Sequence, residues 1–172
     1  MSANGLDTFD RTVHETNQWL RVVMAELKTS SRHQAYSALR ASLHALRDRI
    51  GPENSVHFAA QLPILLRGVF YEGWHPSETP TRERRLDDFL AYVESILGSK
   101  SGLDPCEAVR AGFAAIAWCV SFTEVLKLMN VLPHDLRVLW PDYMFARLGE
   151  LKLRFAQHDD LLICVNRDFA QS

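Results

Sequence analysis

Three basic side chains recur at helical spacing in the first third of the chain. Arg40, His44 and Arg47 are four and three residues apart, which places them on one face of an α-helix. Two guanidinium groups and an imidazole on one face can bind an acidic peptide or a phosphate group. The alternative is a solvated helix face, because Asp48 and Glu53 are close enough in sequence to neutralise the charge. The sequence favours the solvated face.

A second group of candidate binding residues leads into a loop that contains two prolines. Its members are Arg67, Tyr71, Trp74 and His75. Arginine and aromatic residues are concentrated in protein interfaces, so an exposed tryptophan in this loop would anchor a partner. In the alternative, Trp74 folds back and holds the two halves of the chain together. We favour the alternative, because a tryptophan in a connector commonly docks on the core.

The histidines could in principle supply metal ligands or a catalytic base. No two of the seven are spaced i, i+4, although His14 adjoins Glu15 and His158 precedes two aspartates. The zinc and two-histidine–carboxylate patterns are absent. So are a glycine-rich phosphate loop, a nucleophile elbow and a CxxC motif. We therefore expect no catalytic residue, no metal site and no cofactor, and an enzyme is not the favoured interpretation.

Composition narrows the class of protein further. The 172 residues are 47% hydrophobic and 23% charged, with a formal net charge of -2. Such a chain forms one domain with a sizeable core and has no positive field for nucleic acid or an anionic membrane. Because the first residues are polar and no long apolar run follows, we expect no signal peptide and no membrane helix. Three cysteines without metal-ligand spacing predict reduced, mostly buried thiols in the cytoplasm.

Helix start signals define the elements that position these residues. Apolar periodicity predicts a first helix over residues 9 to 28. Capping boxes predict further helices that begin at Ser31 and at Asp104, and Ser121 starts another S-x-x-E pattern. Three prolines each stand where a helix can begin but not continue, namely Pro52, Pro63 and Pro133.

The chain contains an internal repeat. Residues 61–70 recur at 131–140, with Leu-Pro, Leu-Arg and a terminal aromatic in register. Upstream, residues 31–35 match 104–108, and Trp19 matches Phe89. The offsets are 70, 73 and 70, so length changes fall in turns, as expected of a duplication. We predict one all-α domain, a helical bundle of two similar four-helix repeats with a C-terminal extension: repeat one about 9–72, loop 73–81, repeat two about 82–141 and tail 142–172.

The second helices of the two repeats share a stripe of small residues and differ elsewhere. Residues 35, 38 and 42, and likewise 108, 111 and 115, are small, so these stripes should face each other or their own first helix. The helix from 104 to 120 is apolar nearly all round, which predicts that it is buried all round. We expect the tail to cover it, with a helix over about 142–156 and a strand-like run at 161–165.

Several of these motifs in fixed order resemble a known bacterial family, domain of unknown function 2267 (DUF2267). They are residues 38–49, the Gln61-Leu62-Pro63 start, residues 67–74 and the second Leu-Pro-x-x-Leu-Arg. The resemblance covers about residues 9 to 141. It implies an all-helical fold without an assigned reaction, cofactor or catalytic residue. Some relatives are joined to, or encoded near, stress-associated modules, which implies a supporting role.

Two functional hypotheses follow. The favoured one is a cytoplasmic bacterial interaction module, linked to stress responses, that binds a protein partner or itself, including as a homodimer. The other is a small-ligand-binding or metal-dependent protein with a pocket between the two repeats. An internal cavity lined by Arg67, Tyr71 and two or more histidines would favour the second, and an apolar surface patch would favour the first.

Overall fold

The computed structural model describes the backbone of residues 6–156 and the side chains of residues 6–150, and over this range the protein is helical without strands. The all-α prediction is therefore confirmed. The predicted strand-like run at 161–165 lies outside the described residues. The α-helices are α1 (Asp7–Glu26), α2 (Arg32–Ile50), α3 (Pro52–Ala59), α4 (Ile64–Tyr71), α5 (Leu86–Leu97), α6 (Pro105–Cys119), α7 (Phe122–Val131) and α8 (Asp142–Ala156), with short 3₁₀ helices at Pro76–Glu78 and His134–Leu139.

The chain divides into two compact units, the first ending at Trp140 and the second beginning at Pro141. The second unit contains α8, which occupies the range predicted for a helix at 142–156. No helix within residues 6–156 is both long enough and apolar enough to cross a membrane.

Helices α2 and α6 cross at the centre of the first unit. Helix α1 packs on both of them, and so does α5. At the crossing, the Ser42 hydroxyl donates to the carbonyl oxygens of Ala38, at 2.7 Å, and Ala108, at 3.1 Å. A methyl group on Gly112 would lie 2.1 Å from the Ser42 oxygen, so only glycine fits there. Of the two predicted arrangements, the one in which the small-residue stripes face each other is therefore found, because small side chains allow close backbone approach.

The predicted helix starts are found, but each cap has only the forward bond of a capping box, and the Glu107 side chain does not bond back to the Asp104 amide. The Ser31 and Asp104 side chains accept from the amides of Gln34, at 3.2 Å, and Glu107, at 2.9 Å. Gln34 does not reach back to Ser31 directly. Instead the Ser31 amide donates to the Thr29 hydroxyl, which donates to the Gln34 side chain. This hydroxyl relay satisfies the same orphan amide that a capping box would satisfy.

The remaining start signals also mark helix boundaries. Pro52 is the first residue of α3, and Pro63 and Pro133 directly precede α4 and the 3₁₀ helix at His134–Leu139. Ser121 precedes α7 but its side chain makes no capping hydrogen bond there. Proline at these positions costs nothing, since the first amides of a helix lack intrahelical acceptors.

The prediction that α6 is buried all round is wrong at its C-terminal end. Eight of its residues are buried, from Ala108 and Val109 through Ala111–Ile116, but the Trp118 side chain is 74% exposed. Helix periodicity cannot locate such an exposure, because the neighbours that would cover the last turn come from distant parts of the chain. The proposal that the tail covers α6 stays a prediction, and residues 157–172 lie outside the described residues.

Candidate functional site

The first group of candidate residues lies against the C-terminal end of α4. The His44 Nε2 atom is 2.6 Å from the carbonyl oxygen of Val69. Arg47 donates through Nη1 to the carbonyl oxygens of Phe70, at 2.6 Å, and Glu72, at 3.0 Å. The last carbonyl groups of a helix have no intrahelical donors, and here α2 side chains supply them.

The same arginine also forms a buried ion pair. Arg47 donates to both carboxylate oxygens of Asp48, at 2.7 and 3.0 Å, and the Tyr92 hydroxyl donates to one of them at 2.7 Å. Burial, together with this bond, raises the pKa of Tyr92. The Asp48 carboxylate therefore joins α2 to α5 and neutralises Arg47.

The interpretation of this stripe as a solvated face is wrong for two of its three members. His44 and Arg47 are only 5% and 4% exposed. Arg40 alone is partly exposed, and it forms an ion pair with Glu72 at 2.8 Å. The physical reason is the end of α4, whose carbonyl groups need donors once they are packed against α2. Arg47 has its donors engaged, so the stripe is built to cap a helix and not to receive a phosphate.

The burial of His44 also changes its acid–base behaviour. Desolvation lowers its pKa, against the opposing effect of the bond to Val69, and Arg47 and Arg40 lower it further. The imidazole therefore stays neutral at pH 7 and donates its Nε2 proton to the carbonyl. A neutral, hydrogen-bonded imidazole adds no positive charge to the face.

The second group of candidates does not come together as one site. Arg67 donates to the carbonyl oxygen of Ala59 at 2.9 Å and to two others nearby, so it caps the end of α3. Trp74 is half-buried and stacks on Tyr71, with ring centroids 5.4 Å apart. His75 is exposed beside them. Trp74 thus folds back, and the ring it contacts belongs to its own half of the chain.

A cleft that no sequence motif indicated opens between α1 and the end of α6. Its volume is about 630 Å³, and the turn after α3 forms one wall. The lining residues are Glu15, Gln18, Trp19, Arg21, Val22, Gln61, Leu62, Pro63, Trp118 and Cys119. Trp118 gives the cleft an exposed indole. The one signal in the sequence is the repeat itself, because the position equivalent to Trp118, 73 residues earlier, holds Ala45.

The charged groups of this cleft are available for binding, whereas the Gln18 amide already contacts His14, with its nitrogen 3.2 Å from the ring Nε2. Glu15 and Arg21 lie on the α1 wall, and neither forms an ion pair with another residue of the described part of the chain. Gln18 and Gln61 add two amides that can both donate and accept. Burial raises the pKa of Cys119 to about 11. The thiol is therefore protonated at neutral pH, which makes it a poor nucleophile.

A second cleft of about 390 Å³ lies between α3 and α7. Its lining includes three pairs of residues that are 70 positions apart, which are Asn54 with Glu124, His57 with Lys127 and Phe58 with Leu128. His57 is the one histidine in this lining, and neither Arg67 nor Tyr71 contributes to either cleft. The histidine-rich pocket expected for the ligand-binding hypothesis is therefore not found in these two clefts.

Within the described residues, no three histidine, cysteine, aspartate or glutamate side chains are close enough to hold a metal ion. Comparison with known families matches residues 16–139 to a family described as an uncharacterised conserved protein, DUF2267. No curated protein matches the chain. The match runs from within α1 to the end of the 3₁₀ helix at His134–Leu139 and includes every lining residue of the larger cleft except Glu15.

Proposed function

The chain belongs to the DUF2267 family, and we propose that it is a protein-interaction module whose binding surface is the cleft beside Trp118. Because the family is uncharacterised, support for the proposal comes from the surface of the cleft. The observation that carries it is the exposure of Trp118, 74% of whose surface meets solvent on a helix that is otherwise largely buried.

Exposing a tryptophan to water is unfavourable, and a partner that buries the indole removes this unfavourable contribution. Water contact with an indole is unfavourable, and burying a large aromatic group against a partner is among the strongest single contributions to affinity. At the equivalent position of the first repeat, Ala45 is fully buried. The exposed indole is therefore a feature of the second repeat alone, and core packing does not explain it.

The test compares which proteins are crosslinked to the parent protein and to single-residue variants. A photo-crosslinking amino acid on the cleft wall, at position 61, would be used in the full-length protein in its native host. We expect a defined set of crosslinked proteins that Trp118→Ala abolishes. Val138→Ala is the matched control, because Val138 is also exposed, at 53%, and does not line the cleft. An unchanged set of crosslinks in Trp118→Ala would exclude this surface.

The same proposal includes an internal duplication within one domain. Each of α1 and α5 packs on both central helices, so exchanging the two repeats leaves the pattern of contacts unchanged. Equivalent positions are also buried alike, as in Leu66 with Leu136 and Phe70 with Trp140. The backbone angles at Pro63 and Pro133 differ by at most one degree. These features support two similar four-helix units around a pseudo-two-fold axis.

The proposed cellular setting is a reducing bacterial cytoplasm. Two free cysteines, Cys106 and Cys119, suit a reducing cytoplasm. The link to bacterial stress responses rests on the family resemblance alone. Its test is the abundance of the protein after heat, acid or oxidant treatment, and constant abundance under all three would remove the link.

A second candidate function is the binding of a small molecule in the larger cleft. Its volume of about 630 Å³ falls in the range usual for ligand sites. Binding would be measured as a rise in melting temperature against a metabolite collection, with Trp118→Ala as the comparison. A rise that is lost in this variant would support the candidate, whereas no rise with any compound would exclude it for that collection.

A further inference from the structure

The wall that α1 contributes to the larger cleft carries opposite charges on either side of a central amide. Glu15, Gln18 and Arg21 succeed one another at intervals of three residues and all line the cleft. Six residues of α-helix span about 9 Å, with Gln18 at the midpoint. The pattern from the N-terminal to the C-terminal side is therefore negative, neutral, positive.

Such a pattern is complementary to itself when it is reversed. If a second copy lies across the first so that the two Glu15-Gln18-Arg21 rows run in opposite directions, Glu15 of each copy faces Arg21 of the other, and the two Gln18 side chains meet on the two-fold axis. The Gln18 amide nitrogen lies 3.2 Å from His14 Nε2, which leaves its second N–H and its oxygen to pair with the other copy's Gln18 across the axis. In a symmetric dimer every contact occurs twice, so both ion pairs form together.

The cleft also carries an exposed aromatic side chain. Trp118 lines it from α6 and is 74% exposed. A second copy seated on the cleft would bury this indole. Since Glu15 and Arg21 have no ion-pair partner within the described residues, their charges are free for this contact.

From this charge pattern and this exposed indole we propose that the occupant of the cleft is a second copy of the same chain, bound about a two-fold axis through Gln18 with the two rows running in opposite directions. The inference rests on the proposed function, since it names the partner of the same surface. A small molecule or a different protein in the cleft would not require opposite charges at equal distances on either side of Gln18.

The experiment uses charge exchange in the full-length protein, with association measured by sedimentation equilibrium. Glu15→Arg alone places arginine opposite arginine, and Arg21→Glu alone places glutamate opposite glutamate. Each substitution creates two like-charge contacts per dimer, so we expect the dimer to weaken about tenfold or more. Trp118→Ala should weaken it about thirtyfold, as expected for removal of a central aromatic anchor.

Two recoveries make the test specific for rows that run in opposite directions. The double variant Glu15→Arg/Arg21→Glu restores opposite charges across the axis, so its dimer should regain most of the lost affinity. A mixture of the two single variants should form a heterodimer more readily than either forms a homodimer. Arg110→Glu is the control, since Arg110 is exposed on α6 and does not line the cleft.

Two results would overturn the inference. One is a protein that stays monomeric at every concentration, and the other is a dimer that is indifferent to the single charge exchanges. A monomeric protein that still loses its crosslinked partners in Trp118→Ala would leave the proposed function standing and refute self-association. Circular dichroism of each variant confirms that the fold is kept, which is expected because Arg21 and Trp118 are exposed and Glu15 is half-exposed.

Discussion

Buried polar residues in α2 decide how the end of α4 is held. His44 and Arg47 would be costly to bury alone, but each meets carbonyl oxygens that lack other donors. Arg40 contributes a hydrogen bond at the surface, which lowers the pKa of Glu72. The basic stripe that suggested an anion site is thus explained by the hydrogen bonds that a helix end requires.

The lowered pKa of His44 makes the stability of the protein depend on pH. In the unfolded chain a histidine has a pKa of about 6.5, and in the folded protein burial keeps it below that value. As the pH falls below about 6.5, the unfolded state therefore binds the proton first and is favoured. We expect the free energy of unfolding in urea to fall between pH 7 and pH 5, with a smaller fall in His44→Gln.

A control histidine separates this effect from general acid sensitivity. His33 is exposed, so His33→Gln should keep the pH dependence of the parent protein. An equal fall in the parent and in His44→Gln would show that His44 does not contribute to it.

Removing Arg47 should be far more damaging than removing Arg40. Arg47→Leu leaves the Asp48 charge buried without its partner, which typically costs about 3–5 kcal/mol. Phe113→Ala, which empties a fully buried site against Trp140, should cost a similar amount, about 3–5 kcal/mol. Arg40→Ala should cost much less, because that ion pair is partly exposed. Urea unfolding measures all three, and equal losses for Arg40 and Arg47 would contradict the burial described here.

At the scale of elements, the close crossing of α2 and α6 determines which residues are allowed at its centre. Gly112→Ala would place a methyl group 2.1 Å from the Ser42 oxygen and 2.3 Å from its Cβ. The helices would have to separate, and such overpacking usually costs about 1–3 kcal/mol. Thermal unfolding monitored by circular dichroism would show the loss.

A compensating substitution tests whether the crossing itself is responsible. Ser42→Gly removes the two atoms that the new methyl group would meet, so Gly112→Ala/Ser42→Gly should be more stable than the sum of the two single effects predicts. Purely additive losses would place the cause elsewhere. Gly68→Ala is the control, since a methyl group there meets no atom within 4 Å.

At the scale of the whole first unit, neither half can bury its helices alone. Helix α1 packs on α6 as well as on α2, and α5 packs on α2 as well as on α6. Each half therefore depends on the other to cover its central helix, which is the requirement that makes a domain fold cooperatively.

A fragment experiment checks this dependence. The chain would be divided within the 73–81 loop, after Glu78, into residues 1–78 and 79–172. Each fragment alone should have little helix by far-ultraviolet circular dichroism, because its apolar faces stay exposed. Mixing them should restore the helical signal. A fragment that unfolds cooperatively on its own would show that the repeats are independent domains.

The sequence by itself determined the helical class, most helix starts and the family. These features depend on short-range chemistry, namely capping side chains, prolines and the 3.6-residue period, all of which can be read within a few positions of the chain. The close helix contact was predictable from the small residues of both stripes, but the sequence left open whether each stripe faces the other or its own first helix.

Only the tertiary structure decided which polar and aromatic residues are buried. Arg47 is buried because the end of α4, more than twenty residues away, needs donors. Trp118 is exposed because the neighbouring α1 wall stops short of covering it and leaves a cleft. Both outcomes depend on groups brought together from distant positions, and helical periodicity describes one helix at a time. His44 and Arg47, two of the candidates from the sequence, are thus buried in structural hydrogen bonds, and the candidate binding surface came from Trp118, which its pattern had assigned to the core.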